Sequence, residues 1–266
     1  MKNNLKIKAI FVMAAGLLIG LSSCKNDDNN AEPQIEARVL TAQGDSTAIA
    51  GTLNEYRALL GEPLNREPNK TSGRREIDWD GVPAAFTNTN TFPGDFFNTV
   101  GDAVPNGRKR GAVFTTPGTG LRVSDNDFTD LTAGYSSQFA AFSPVRTFAA
   151  VGSNIVEVAF QVPGQTAPAS VKGFGVVFSD VDDAGSTYME FFDGNRSLGK
   201  FNAPTRTTAA GFSFLGVFFP NEKVTKVRIV SGNGALGTDV KDKTDGGQYD
   251  LVIMDDFLYS EPLPLP

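Results

Sequence analysis

Three aspartates in four positions, Asp180, Asp182 and Asp183 in "FSDVDDAG", stand between two runs of bulky apolar residues. Carboxylates at that density can hold a hard cation, exchange protons with a substrate, or bond the backbone of a turn. Counted from Asp180, Asp182 falls at position three and Gly185 at six of a calcium loop, but Ala184 stands at five and Phe191 at twelve, where an EF-hand needs an oxygen and a glutamate. The stretch is no EF-hand, and a turn, a looser calcium site and an acid cluster stay open. A second acidic group is "REIDWDG". In a strand, Glu76, Asp78 and Asp80 share one face while Ile77 and Trp79 share the other. Three carboxylates in a row repel one another unless water or a cation intervenes. The third group, Asp255 and Asp256, interrupts the apolar run "DLVIMDDFLY"; a charge there either ends the buried part of a strand or meets a partner.

The rest of the composition narrows this chemistry. The chain has no histidine and one cysteine, Cys24, which excludes Ser-His-Asp and Cys-His nucleophiles and the usual zinc and copper ligand sets. Carboxylate, hydroxyl, amine and amide groups remain, and calcium is still compatible with them. A polysaccharide hydrolase would need two carboxylates across a sugar; Glu157 in "IVEVAF" and Glu190 in "TYMEFF" are the candidates, though glutamates on the wet side of half-exposed strands read the same way. Sugar-binding platforms favour Trp and Tyr, whose rings combine a flat face with a polar edge. One Trp and five Tyr stand against 21 Phe, and the Phe fall in strand-like runs that belong to a core. Trp79, Tyr135 and Tyr188 are the aromatics expected at a ligand surface. "RKR" at 108–110 could meet an acidic glycan, or be simply solvated in its Gly-rich loop.

At the N-terminus Lys2, Lys6 and Lys8 precede an uncharged apolar run from Ala9 to Leu21. That is a secretory signal peptide, too short for the roughly 20 residues that span a bilayer as a helix. "Leu21-Ser22-Ser23-Cys24" resembles the lipobox of bacterial lipoproteins, which implies lipidation at Cys24 and anchoring by several acyl chains. "Cys24-Lys25-Asn26-Asp27-Asp28" resembles the signal that places some lipoproteins on the outer face of the outer membrane. The expectation is therefore a lipid-anchored outer-membrane protein facing the cell exterior. The formal charge of −6 becomes more negative once the three signal lysines leave, so nucleic acid is not an expected partner. With one cysteine, no disulfide can form within the chain.

The positioning elements follow from the texture of the sequence. Residues 1–23 are the signal peptide and 24–48 are polar and poor in large apolar groups, as expected of a flexible tether. Residues 49–71 hold one short helix and a linker: Leu53, Tyr56, Leu59 and Leu60 have helical spacing, with a stop at Gly61. From 72 to 262, apolar runs of four to eight residues alternate with Gly, Pro, Asn and Asp, which predicts an antiparallel all-β domain. "Asp193-Gly194-Asn195" has the chemistry of a hairpin turn. So many strands must close or stack, and a two-sheet sandwich of jelly-roll type, preceded by the helix, is the expected fold.

Taken in order, "GRREIDWDGVP", "FPGDFFN", "RGAVFTTPGTGLRVS", "GFGVVFSDVDDAGSTYMEFFD", "SLGKF", "FLGVFF" and "VIMDDFLY" resemble an uncharacterised family of secreted bacterial β-sandwich proteins. The resemblance covers roughly residues 50–260 and implies fold and export rather than an activity. "VIMDDFLY" is also broadly similar to the last strand of jelly-roll carbohydrate-binding modules that hold a structural calcium between their first and last strands. This analogy implies a calcium ion joining Asp255 or Asp256 to Glu76 or Asp78, with the loop of Asp180, Asp182 and Asp183 as the other candidate. The functional expectation is a non-catalytic module that binds a glycan or a surface protein.

Overall fold

The computed structural model describes residues 35–266; the signal segment, Cys24 and the first part of the expected tether lie outside them. In chain order the elements are β1 (Arg38–Gly44), α1 (Ser46–Leu60), β2 (Arg74–Ile77), β3 (Ala112–Thr115), β4 (Gly120–Ser124), β5 (Thr147–Val151), β6 (Ile155–Phe160) and β7 (Ala169–Ser170). There follow β8 (Gly173–Ser179), β9 (Tyr188–Asp193), β10 (Arg196–Asn202), β11 (Phe212–Phe218), β12 (Lys226–Val230), β13 (Ile253–Ser260) and β14 (Leu263–Pro264). They build an all-β sandwich of two antiparallel sheets with one helix. One sheet has the order β1-β11-β8-β13-β5-β4, with β2 also paired to β13; the other runs β10-β9-β12-β6-β3.

The two sheets differ in what covers them. In the five-stranded sheet burial alternates strictly along β6, and along β9 through its first five residues. Its inner side chains, among them Phe114, Val158, Phe191 and Ile229, join the main core, and its outer side chains mix charged residues with half-buried Tyr188, Phe192 and Ile155. In the seven-stranded sheet every residue of β8 and β13 is buried, because both faces are covered. The five-stranded sheet lies on one side. On the other, α1 lays Ile49, Leu53, Tyr56 and Leu60 against Val177, Phe214 and Leu258, and the loop carrying Phe128, Tyr135 and Phe139 covers Ala149 and Ile253.

The helix is seated by chemistry readable in its own sequence. Asp45 caps its N-terminus through a bond from the Ala48 amide at 2.8 Å, and Gly61 ends it at φ 112. Glycines at the contact let it approach: a Cβ on Gly175 would lie 2.7 Å, and one on Gly216 2.8 Å, from the Tyr56 ring. The Tyr56 hydroxyl donates to the Val217 carbonyl at 2.8 Å. The expected tether is corrected here. From Arg38 it is an edge strand in full register with β11, and the helix begins at Ser46 rather than 49. The stretch mixes polar and apolar residues, and it is held by the backbone ladder with β11 and by Leu40 and Ala42 packing against the helix cluster.

The "REIDWDG" expectation is also corrected. Strand β2 ends at Ile77, and Trp79 follows with φ +64, so Glu76, Asp78 and Asp80 do not line one strand face. The β9–β10 hairpin is as expected: Asp193 pairs with Arg196 across Gly194, whose φ is +59.

Tyr56→Ala removes both the ring and its buried hydrogen bond, and is expected to lower stability by about 3–5 kcal/mol. Hydrogen exchange should show α1 losing protection while β8 and β13 keep theirs.

Candidate functional site

Asp255 and Asp256 occupy the point where β13 changes neighbours. Met254 pairs with Phe148 of β5 and Phe257 with Ile77 of β2. Against β8 the register steps from Met254–Phe178 to Phe257–Val176, so three residues oppose two and the strand bulges. The bulge turns both carboxylates onto the loop after residue 141. Asp255 Oδ2 accepts from the amides of Phe142 at 2.6 Å and Ser143 at 3.2 Å, and the Ser143 hydroxyl donates to Asp256 at 2.7 Å. Burial, with Asp256 alongside, pushes the Asp255 carboxyl well above the usual range, and burial raises Asp256 as well. Asp80 fastens the same loop by accepting from the Arg146 amide at 2.9 Å.

The carboxylates expected to share a calcium between the strand ends have differing surroundings. Glu76 is bonded by Arg57 at 3.1 Å and Arg74 at 2.8 Å, Asp78 is exposed, and Asp255 has backbone partners. Among the described residues the carboxylates that converge are Asp180, Asp182 and Asp242, with ligand atoms within 4.8 Å of one another. Sequence reasoning found the first two. Asp242 comes from a loop some 60 residues away, and no spacing links it to "SDVDD".

This corner sits at the end of β8, where Asp180 takes a left-handed φ of +76. Asp180 is fully buried; Gln138 donates to it at 2.6 Å and the Arg206 guanidinium reaches it at 2.5 Å. Arg206 also bonds Asp182 at 2.6 Å, so one arginine supplies the cation for both. Asp242 has neutral partners, the Thr244 amide at 2.7 Å and the Leu251 amide at 2.8 Å. Asp183 pairs with Lys243. Burial raises the Asp180 carboxyl to about 7 despite the Gln138 bond and Arg206, and burial raises Asp250 next to it.

Two of the three expected ligand aromatics are core residues. Trp79 is fully buried, stacked on Phe148 at 4.0 Å with Phe97 and Phe257 edge-on, and its indole NH donates to the Asp255 carbonyl at 3.1 Å. Tyr135 is buried and its hydroxyl donates to the Val240 carbonyl at 2.7 Å. Both were nominated for their polar edge, but that edge serves a backbone carbonyl inside the protein. Tyr188 alone stands on an open face, with Lys200 Nζ 3.5 Å from its ring centroid.

That face is the outer side of the five-stranded sheet. Register places Thr115, Glu157, Arg228, Glu190 and Lys200 side by side across five strands. Arg228 bonds Glu157 at 2.7 Å and lies 4.0 Å from Glu190. The two glutamates proposed for hydrolysis are two strands apart, about 10 Å, with a guanidinium filling the gap a sugar or water would need. Arg228 was missed because in "KVRIV" it reads as one more charge on the wet side of a strand, and only the register shows its position. A groove of about 490 Å³ borders this row, lined by Thr115, Thr116, Pro117, Ile155, Glu157 and Arg228. No protein-family model and no curated protein matches the chain.

The resolved carboxyl shifts at Asp180, Asp250, Asp255 and Asp256 are all upward, so the folded chain holds protons that the unfolded chain releases near pH 4. Stability is expected to fall as pH rises from about 4 through about 9. Urea midpoints read by Trp79 emission at pH 5 and 8 check this. Arg206→Ala should steepen the fall and make the melting midpoint respond to calcium, whereas the unaltered protein should melt alike in calcium and chelator.

Proposed function

We propose that this chain is a lipid-anchored, surface-displayed β-sandwich that binds a glycan or another envelope component without turning it over. The observation that carries the reading is the uncovered outer face of the five-stranded sheet. It offers Tyr188, an open groove and a row of charges already paired with one another. A binding surface of this kind needs positioned donors, acceptors and an aromatic plane. Hydrolysis needs two carboxylates with a substrate between them, and Arg228 in that place favours binding. Glycan is the leading ligand class, and protein adhesion is the account left if glycans fail.

The anchor and location rest on the sequence alone, since Cys24 and the residues after it through 34 lie outside those described. Among the described residues no helix is long and apolar enough to cross a membrane. The lipobox-like "LSSC" therefore carries the proposal of attachment, and "KNDD" carries the proposal of the outer face.

A glycan array probed with the protein is expected to identify at least one bound class, with Tyr188→Ala weakening it by about five- to tenfold. Failure of every glycan would move the ligand to protein. Cys24→Ala is expected to shift the protein from the envelope membrane fraction to the soluble fraction, and firm membrane retention of that variant would overturn the anchor.

A further inference from the structure

Beyond the end of β2, the chain builds a cleft that neither the sheet face nor the acidic loop explains. Two hollows of about 250 and about 180 Å³ meet there and share Asp78 and Arg110. The larger is lined by Phe96, Phe97 and Arg108, and the smaller by Arg66. Three guanidinium groups thus converge in a chain whose formal charge is −6. A concentration of one charge sign in a cleft raises the local concentration of the opposite ion.

Two of the arginines, Arg108 and Arg110, are held in place before any ligand arrives. Arg108 lies over the Phe96 ring at 4.2 Å and Arg110 over Phe97 at 5.2 Å. The backbone between them is bolted to the interior. Buried Arg75, paired with buried Glu261 at 2.7 Å, donates to the Lys109 carbonyl at 3.2 Å, and the Tyr259 hydroxyl donates to the Arg110 carbonyl at 3.1 Å. A site fixed in this way loses little freedom on binding.

The donors are only partly used. A guanidinium has five N–H groups. Arg108 commits its to the Phe96 carbonyl and Thr99, Arg110 to the carbonyls of Gly107 and Glu76. Among the described residues, Arg66 and Asp78 have no side-chain hydrogen bond or ion pair. Arginine forks select planar carboxylates. The uncommitted Asp78 carboxylate beside them suits a ligand that also brings hydroxyl donors, and it repels a doubly charged phosphate. The larger hollow, about 250 Å³, is small against the roughly 300–1,000 Å³ of drug-sized sites and suits a single sugar unit.

We infer that this cleft binds a carboxylate-bearing sugar, a single uronic acid unit of an acidic glycan, through Arg66, Arg108 and Arg110 with Asp78 accepting from ring hydroxyls. The site is separate from the Tyr188 face and extends the glycan-binding reading to a named chemical class.

Calorimetric titration of the full chain at low salt with digalacturonate, its neutral counterpart galactobiose, and inorganic phosphate tests the inference. Digalacturonate is expected to bind with an affinity that falls as salt rises, and galactobiose is not. Arg66→Gln and Arg108→Gln should each weaken binding by about tenfold while Trp79 emission and melting stay unchanged, and Tyr188→Ala should have no effect. Arg66 is exposed, so its variant reports binding even where Arg108→Gln disturbs folding. No binding of digalacturonate, equal binding of phosphate, or indifference to Arg66→Gln would overturn the inference. If digalacturonate fails while a neutral glycan binds, the cleft assignment falls alone; if neither binds, the glycan reading falls with it.

Discussion

Strand β13 is the member on which the rest of this domain depends. It is buried along its whole length and touches β8 on one edge and, in turn, β5 and β2 on the other. Such a change of neighbour requires a break in the ladder, and the bulge at Asp255–Asp256 makes it. A bulge inside a core leaves backbone groups that need partners. The indole of Trp79 meets the Asp255 carbonyl, and the two side chains take up the amides and hydroxyl of the loop at Phe142 and Ser143. The aspartates that look like a metal site in the sequence are the fastening for that break. Their burial is costly as anions, which is why they hold protons above the usual range.

The same residues show what the sequence could reveal. The all-β class, the lone helix with its Gly61 stop, and the Gly194 hairpin were all legible, since each depends on local spacing or local turn chemistry. Continuous apolar runs such as "GFGVVFS" were recognisable as strands, but not the reason for their uniform burial, which is the helix and loop on the second face. Strand β1 was invisible because exposed Val39 and the polar residues around Leu40 and Ala42 blur its short alternation. The end of β2 at Ile77 was invisible for the opposite reason: "REIDWDG" alternates well, but Trp79 turns inward to its aromatic neighbours.

The candidate sites were less legible, because each is assembled across the fold. Asp180 and Asp182 stood out by density, yet the residues that decide their chemistry, Arg206, Gln138 and Asp242, are distant in the chain. Glu157 and Glu190 were visible as lone carboxylates in strands. Their relation became apparent only when register placed Arg228 between them. Arg66 comes from the segment between α1 and β2, and Arg108 and Arg110 from the loop before β3; buried Arg75 bonds the backbone of both, at the Glu67 and Lys109 carbonyls.

One edge of the five-stranded sheet is β10, whose outer ladder groups have no neighbouring strand among the described residues. Between Ser197 and Gly199 its register shifts, and Gly199 has φ +126, while Arg196 and Lys200 stand exposed beside the kink. A kinked, cationic margin is a poor template for another chain to extend. This margin therefore discourages growth of the sheet by strand addition at β10.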